Sequence, residues 1–400
     1  MTFCDSLPFG RALVVTAALA VFTTGCASAP SESQDKPGGR SFTVAAAGDV
    51  LIHPELVEQA AEDAQRTGKG EAGLDLGPLM AGVKPVIGKA DLAVCHMESP
   101  VGDPRGPFEG YPEFLVPPQI LTALKDVGYD TCSTASNHTY DHGLKGVRRT
   151  LDAMDRVGLG HSGSARTPEE AEKITVRDVR GVKVAHLSYS WESFRNPTPE
   201  KQRWAFNRLD LDAIKKAEAK ARQQGAEVVI LSVHWGPERR NEPSTSQVRL
   251  AERITEETGI DLVIGHHAHV VQPIQKLNGT WVAFGLGNQM ARHSSPSGLT
   301  EEGAIGWFEF RETASGWNVS ARYRTTLVDI PRETEPEEKL PEGAVEDHRL
   351  VDVRQALDEP GDLTPERLAR YRLAAERTRG FLFNRGAPGG DGLAELSLKD

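Results

Sequence analysis

Cysteine is scarce, four in 400 residues, which excludes a disulfide-built scaffold and a four-cysteine zinc module. Basic residues are outnumbered: 46 Lys and Arg against 57 Asp and Glu give a formal charge of −11. That balance argues against a general binder of nucleic acid or of anionic membranes. No apolar run reaches the ~20 residues that cross a bilayer, and no segment repeats, so a multi-span membrane protein, a fibre and a repeat array are excluded. What is present is 38% hydrophobic and 26% charged residues, with 39 Gly and 25 Pro. This describes a mostly globular chain with many turns, where loops join short strands. Length alone allows two or three domains; one large α/β domain with tails fits as well.

The first residues read as an address. Arg11 precedes an apolar run from Ala12 to Phe22 that ends in Thr24-Gly25-Cys26. The run suits a signal-peptide core and resembles a bacterial lipoprotein signal, in which cleavage leaves the cysteine lipidated. The expectation is a leader over 1–26, lipidation of Cys26, and a protein exported and held at the outer face of the cell membrane. Ordinary cleavage after Ala27-Ser28-Ala29 is the alternative, disfavoured by Pro30. Residues 27–41, polar and Gly-containing, read as a flexible tether. Cys95 and Cys132 lie in apolar runs; pairing is possible in an oxidising compartment, but two separately buried thiols are expected.

From Phe42 short apolar runs alternate with amphipathic stretches. Phe42–Ala47, Leu92–His96, Thr131–Ser136, Val182–Ser188, Val228–His234, Leu262–Gly265 and Trp281–Gly285 are predicted strands. Pro118–Val127, Leu144–Val157, Leu211–Gln224 and Ser246–Glu257 are predicted helices, each ending at or near a Gly. Such alternation implies βαβ units. Val176–Ser188 and the pair Ala304–Phe310 with Trp317–Val328 read as antiparallel hairpins. The predicted fold is therefore α/β, a multilayer sandwich with mixed sheets over residues 42–331. Residues 332–362, rich in Glu, Pro and Gly, read as an acidic linker, and 363–400 as a helix opening at Thr364-Pro365 and a disordered tail.

Polar residues recur where the apolar strands end: Gly48-Asp49, His96-Met97-Glu98, Ser136-Asn137-His138 with Asp141, His234-Trp235-Gly236, and Gly265-His266-His267-Ala268-His269. Ligand sites of α/β sheets lie outside the carboxyl ends of strands, so these groups can converge. Singly, most have a structural explanation. Gly-Asp makes turns, Asn137 can cap the next segment, and one strand-end His is usually a packed one. Three imidazoles in four residues have no packing advantage and suit metal binding. Together, two carboxylates, a carboxamide and several imidazoles form an N/O donor set for zinc, manganese or iron.

The ordered set Gly48-Asp49, Glu98-Ser99-Pro100, Asn137-His138, His234-Trp235-Gly236 and His267-Ala268-His269 resembles the calcineurin-like metallophosphoesterases. Its spelling, with Gly285-Leu286-Gly287-Asn288 late in the chain, is similar to their poly-γ-glutamate capsule synthesis (CapA-type) branch, over about residues 42 to 310. The resemblance implies a metallo-dependent phosphatase fold and two divalent transition-metal ions (Zn, Mn or Fe). Asp49, Glu98 and His269 would hold one; Glu98, Asn137, His234 and His267 would hold the other. His138 would steady the reacting group or protonate the leaving atom. Asp141 either orients His138 or is a turn residue, and both readings stand open. The sequence departs from the pattern where His53 stands several residues after Asp49 and His96 replaces an Asn. The implied function is a part in the synthesis, export or anchoring of poly-γ-glutamate or a related cell-envelope polymer, with a site able to hydrolyse a phosphoester or amide bond in that polymer or in a small phosphoester or γ-glutamyl substrate, and synthase subunits as possible partners. The alternative is a non-catalytic polyanion-binding or export factor using the same pocket.

Overall fold

A computed structural model describes residues 38–191, 196–293, 296–331, 345–384 and 392–398. The leader with Cys26, and the tether as far as residue 37, lie outside the described residues. Strand β1 (Ser41–Leu51) leads to helix α1 (Pro54–Thr67), β2 (Leu92–Met97), α2 (Gln119–Val127), β3 (Thr131–Ser133), α3 (Gly143–Val157) and β4 (Gly160–Ser162). Then come β5 (Val176–Val179), β6 (Val182–Ser190), α4 (Leu211–Gln223), β7 (Val228–His234), α5 (Thr245–Glu257) and β8 (Leu262–His266). The chain continues through β9 (Ile274–Leu277), β10 (Thr280–Ala283), β11 (Asn288–Ala291), β12 (Glu302–Thr313) and β13 (Gly316–Asp329). It ends with β14 (Arg349–Asp352), α6 (Val353–Asp358), α7 (Pro365–Phe383) and β15 (Ala394–Glu395).

Among the described residues these strands make two sheets. The first runs β14-β13-β12-β1-β2-β3-β4, with β11 also on β1 and β15 on β13; the second runs β5-β6-β7-β8-β10-β9. Strands β1 to β4 are parallel, as are β6, β7, β8 and β10. Both predicted hairpins, β5–β6 and β12–β13, are antiparallel, so both sheets are mixed as the sequence predicts.

The strands are apolar on both faces because each face is buried, the pattern expected of parallel strands covered on both sides. In β1 and β2, Phe42, Val44, Ala46, Leu92 and Val94 pack between the two sheets with Val228, Ile230, Leu262 and Ile264. The alternate residues Ala45, Ala47, Ala93 and Cys95 face outward, against Leu56 of α1, Leu121 and Leu124 of α2 and Leu151 of α3. Val229, Leu231, Val233 and Val263 face Ile214 of α4 and Ile254 of α5 in a third layer. The result is helix, sheet, sheet, helix, with the parallel strands of both sheets ending at one edge.

Three expectations need correction. Cys95 and Cys132, read as separate thiols, stand opposite each other in β2 and β3 and are joined as a disulfide. Parallel pairing creates that juxtaposition, and no local pattern of the sequence announces it. The stretch read as an acidic linker contains β14, antiparallel to β13, and α6, whose N-cap side chain, Asp352, accepts from the Gln355 N–H. Of the charges in its described part, Arg349 meets Asp63 at 2.7 Å and Asp352 meets Arg324 at 2.7 Å; residues 332–344, with most of its Glu, lie outside the described residues. The stretch read as a tail adds β15 beside β13, with the Leu396 carbonyl accepting from Arg324.

Candidate metal centre

The parallel strands deliver their carboxyl ends to one place between the sheets. Asp49 gets there through a close approach that only glycine permits. A Cβ on Gly48 would overlap the Gly287 carbonyl oxygen, and the Asp49 N–H donates to that same oxygen at 2.9 Å. Glu98 follows β2, Asn137 and His138 lie in the loop after β3, His234 ends β7, and His267 and His269 follow β8. Strand β3 stops at Ser133, shorter than predicted, and the freed residues 134–136 carry Asn137 across to the second sheet. His267 and His269 have φ of 88° and 54°, a left-handed conformation that costs a non-glycine residue energy and marks functional turns. The His267 N–H donates to Asp49 Oδ2 at 3.1 Å, tying the strained turn to β1.

Asp49, Glu98 and His269 form one cluster in which one ligand atom from each lies within 4.8 Å of the others; Glu98, His234 and His267 form a second. All five side chains are buried. Glu98 Oε1 is 3.6 Å from His269 Nε2 and 3.8 Å from His234 Nε2, so the carboxylate stands between the two groups. Asn137 Oδ1 is 2.9 Å from His234 Nε2. At the rim, half-buried His138 has Nδ1 2.7 Å from Asp141 Oδ2. The same carboxylate accepts from the Phe114 N–H and from Asn196 Nδ2. Asp141 thus ties His138 to the backbone at Phe114, a geometry that suits both readings of this residue.

Two imidazoles absent from the predicted ligand set join the centre. His266 Nδ1 stands 3.3 Å from Asp49 Oδ1, close but not aligned for a hydrogen bond, and its ring stacks on His96 at 4.1 Å. His96 is 3.0 Å from His234 and 2.7 Å from Ser133 Oγ. Asp49, His96 and His266 also form a cluster of metal-ligating type. The signal in the sequence was position: His266 shares the inward phase of Leu262 and Ile264. Asn288, noted only as part of a glycine-rich turn, bonds His269 Nδ1 at 2.9 Å. His53 opens α1 and lies edge-on to Phe114 and His293, in none of these clusters. Trp191 sets its ring edge-on to His267 at 5.2 Å.

The donor set fits a cation. Buried polar atoms are almost always partnered, yet Asp49 Oδ1, both carboxylate oxygens of Glu98, His267 Nδ1 and both nitrogens of His266 are buried without a hydrogen bond. The charge balance points the same way. Burial pushes Glu98 up to about 7, with Asp49 adding to the rise against His269. Burial also opposes the charge on Asp49, but His266 and His269 hold it well below the usual carboxylate range. For His269 burial is outweighed by Glu98 and Asp49, which raise it to about 10. An imidazolium there supplies the positive charge the carboxylates demand, a place a divalent ion fills better. His267, lowered to about 3 by burial and then by His269, is the neutral imidazole that metals bind.

PGA biosynthesis protein CapA of Bacillus subtilis (strain 168) is similar, with 27% identity over 259 residues, 63% of this chain and 65% of that protein. Capsule biosynthesis protein CapA of Bacillus anthracis is 28% identical over 173 residues, 42% of each chain. The chain therefore matches less than two thirds of the length of these relatives. Among solved structures, calcineurin-like phosphoesterase YfkN from Bacillus subtilis aligns over 86% of this chain and 99% of its own, at 13% identity and a TM-score of 0.38, too low to carry an argument. The family model described as bacterial capsule synthesis protein PGA_cap matches residues 43–293, which is more than half of the chain and includes all the clustered donors, and the chain belongs to that family.

Proposed function

We propose that this protein is a divalent-metal-dependent hydrolase acting on an anionic envelope polymer of the poly-γ-glutamate kind, cutting a phosphoester or γ-glutamyl amide bond during its synthesis, export or anchoring. The observation that carries the reading is the convergence of Asp49, Glu98, His234, His267 and His269, of which Asp49, Glu98 and His267 carry buried, unpartnered donor atoms. The names of the relatives, PGA and capsule biosynthesis proteins, support the polymer. Export and a lipid anchor on Cys26 belong to the same proposal, with synthase subunits as partners. No helix among the described residues is long and apolar enough to cross a membrane.

Asp49, Glu98 and His269 would hold one ion and Glu98, Asn137, His234 and His267 the other, with zinc, manganese and iron all suited to these donors. When bound, such ions act as Lewis acids and neutralise charge developing on the reacting group. The chain's own residues do the rest. Asp141 accepts a 2.7 Å hydrogen bond from the His138 Nδ1–H, which fixes the tautomer and leaves Nε2 to accept or deliver a proton. Phe114, edge-on to His138 at 4.9 Å, and Trp191, on His267, limit water around the reacting centre. A second reading, a polyanion-binding or export factor without turnover, is favoured by one observation: His96 and His266 already crowd Asp49.

Full-length protein purified without chelator is expected to carry close to two equivalents of transition metal by elemental mass spectrometry. No metal, even after reconstitution with zinc, manganese and iron, overturns the hydrolytic reading. His138→Ala is expected to keep its metals and lose turnover of phosphoester or γ-glutamyl substrates by about 10²–10⁴-fold, whereas His267→Ala loses metal. If the loaded wild type hydrolyses none of these and His138→Ala still binds polymer, the second reading takes over.

A further inference from the structure

One carboxylate at this centre has no part in the arrangement above. Glu238 lies in the loop that leaves β7 after His234 and, unlike Asp49 and Glu98, is exposed. Its carboxylate nonetheless groups with His267 and His269, one ligand atom from each within 4.8 Å of the others.

The loop is shaped to turn Glu238 back onto the site. Gly236 has a φ of 79°, and a Cβ there would collide with the Gln247 side chain. Arg239 has a φ of 58°, and its N–H donates at 2.7 Å to the carbonyl of Ala268, the residue between the two histidines. The Arg239 N–H therefore ties the residue next to Glu238 to the His267–His269 turn. A strained backbone at Arg239 persists only where its surroundings hold it, and here that restraint serves the placement of one acidic side chain.

His267 and His269 are also the imidazoles of the inner clusters, where each is grouped with Glu98. Glu98 approaches them from the buried side and Glu238 from solvent. We propose that Glu238, His267 and His269 form a cation-capture position at the mouth of the centre, from which an ion moves inward by exchanging Glu238 for Glu98 while keeping an imidazole ligand. The inference rests on the metal reading above and adds the route by which the centre is filled.

The test is the rate of Zn²⁺ uptake by metal-stripped full-length protein. It is followed by stopped-flow tryptophan fluorescence, for which Trp191 lies 5.2 Å from His267, and checked by metal content after mixing. Glu238→Gln is expected to slow uptake about tenfold or more, the scale on which local charge steers association. Glu242→Gln, which removes a charge from the same loop where Glu242 bonds Asn384, is expected to load at the wild-type rate. Equal rates for Glu238→Gln and wild type overturn the inference, as does equal slowing by both substitutions, which would mean a diffuse field. A wild type that takes up none of Zn²⁺, Mn²⁺ and Fe²⁺ overturns the metal reading itself and the capture position with it.

Discussion

His267 and His269, separated by one alanine, are driven in opposite directions, to about 3 and about 10. Burial disfavours the charge on both; at His269 the charges of Glu98 and Asp49 reverse it, whereas at His267 the imidazoles of His269 and His138 add to the lowering and Asp49 only opposes it. His186 shows burial acting nearly alone. Its Nε2 is 3.0 Å from Ser232 Oγ, and its ring is lowered from 6.5 to about 3 by burial, with smaller effects from His266 and Arg177. The unfolded chain therefore binds a proton there that the folded chain refuses. Stability contributed by neutral His186 is complete above pH 6.5 and is lost as pH falls from 6.5 toward 3, with a slope of about 1.4 kcal/mol per pH unit for one proton. His186→Gln should reduce the slope of unfolding free energy against pH by that amount between about pH 6 and 4, measured by urea titration. An unchanged slope would show that His186 titrates normally. The donors themselves were legible because strand ends carry them in order; His96, His266 and Glu238 were not, since their roles depend on pairing between sheets and on a loop folding back.

Among the elements, β2 and β3 bring Cys95 and Cys132 together across 37 residues of sequence that include α2. Closing a loop of that length is worth about 4 kcal/mol in the chain-entropy account. Replacing both cysteines by Ala should lower the unfolding free energy by roughly that much. Reductant should shift the wild-type urea midpoint toward the double variant and leave the variant unmoved. A wild-type midpoint indifferent to reductant would show that the bond contributes nothing. The central elements were readable from apolar runs; Val228–His234 matches its predicted span, and α5 starts one residue early at a Ser244 capping box. Helix α1, Pro54–Thr67, is absent from the predicted helices. Strands β11, β14 and β15 are too short for any periodicity to declare them, and they exist because a longer neighbour offers an unpaired edge.

Across the whole molecule, the segment beyond the family match reaches back to the centre. Arg370 and Arg377 of α7 grip buried Glu302, and Arg370 also bonds Glu301 and the Gly298 carbonyl. From that loop the Thr300 carbonyl accepts from Asn288, which bonds His269. Burial raises Glu302, and the two guanidinium groups oppose that rise. Arg370→Ala with Arg377→Ala would strand the carboxylate, a loss of about 3–5 kcal/mol for an uncompensated buried charge. Adding Glu302→Gln should recover part of it in thermal unfolding. No loss, or no recovery, would show that α7 is held by packing alone.

The pairing of β1 with β12 sets a timetable for synthesis. Arg40 and Glu312, 272 residues apart, are hydrogen-bonded at one end of this strand pair. A chain emerging from the ribosome holds β1 early yet has nothing to place along that edge until β11 and β12, far down the sequence, have been made. Contacts so distant in sequence form slowly, because loop closure must precede any gain from pairing. The nascent protein would therefore spend most of its synthesis with an open strand edge, a state prone to aggregate if left in bulk solution.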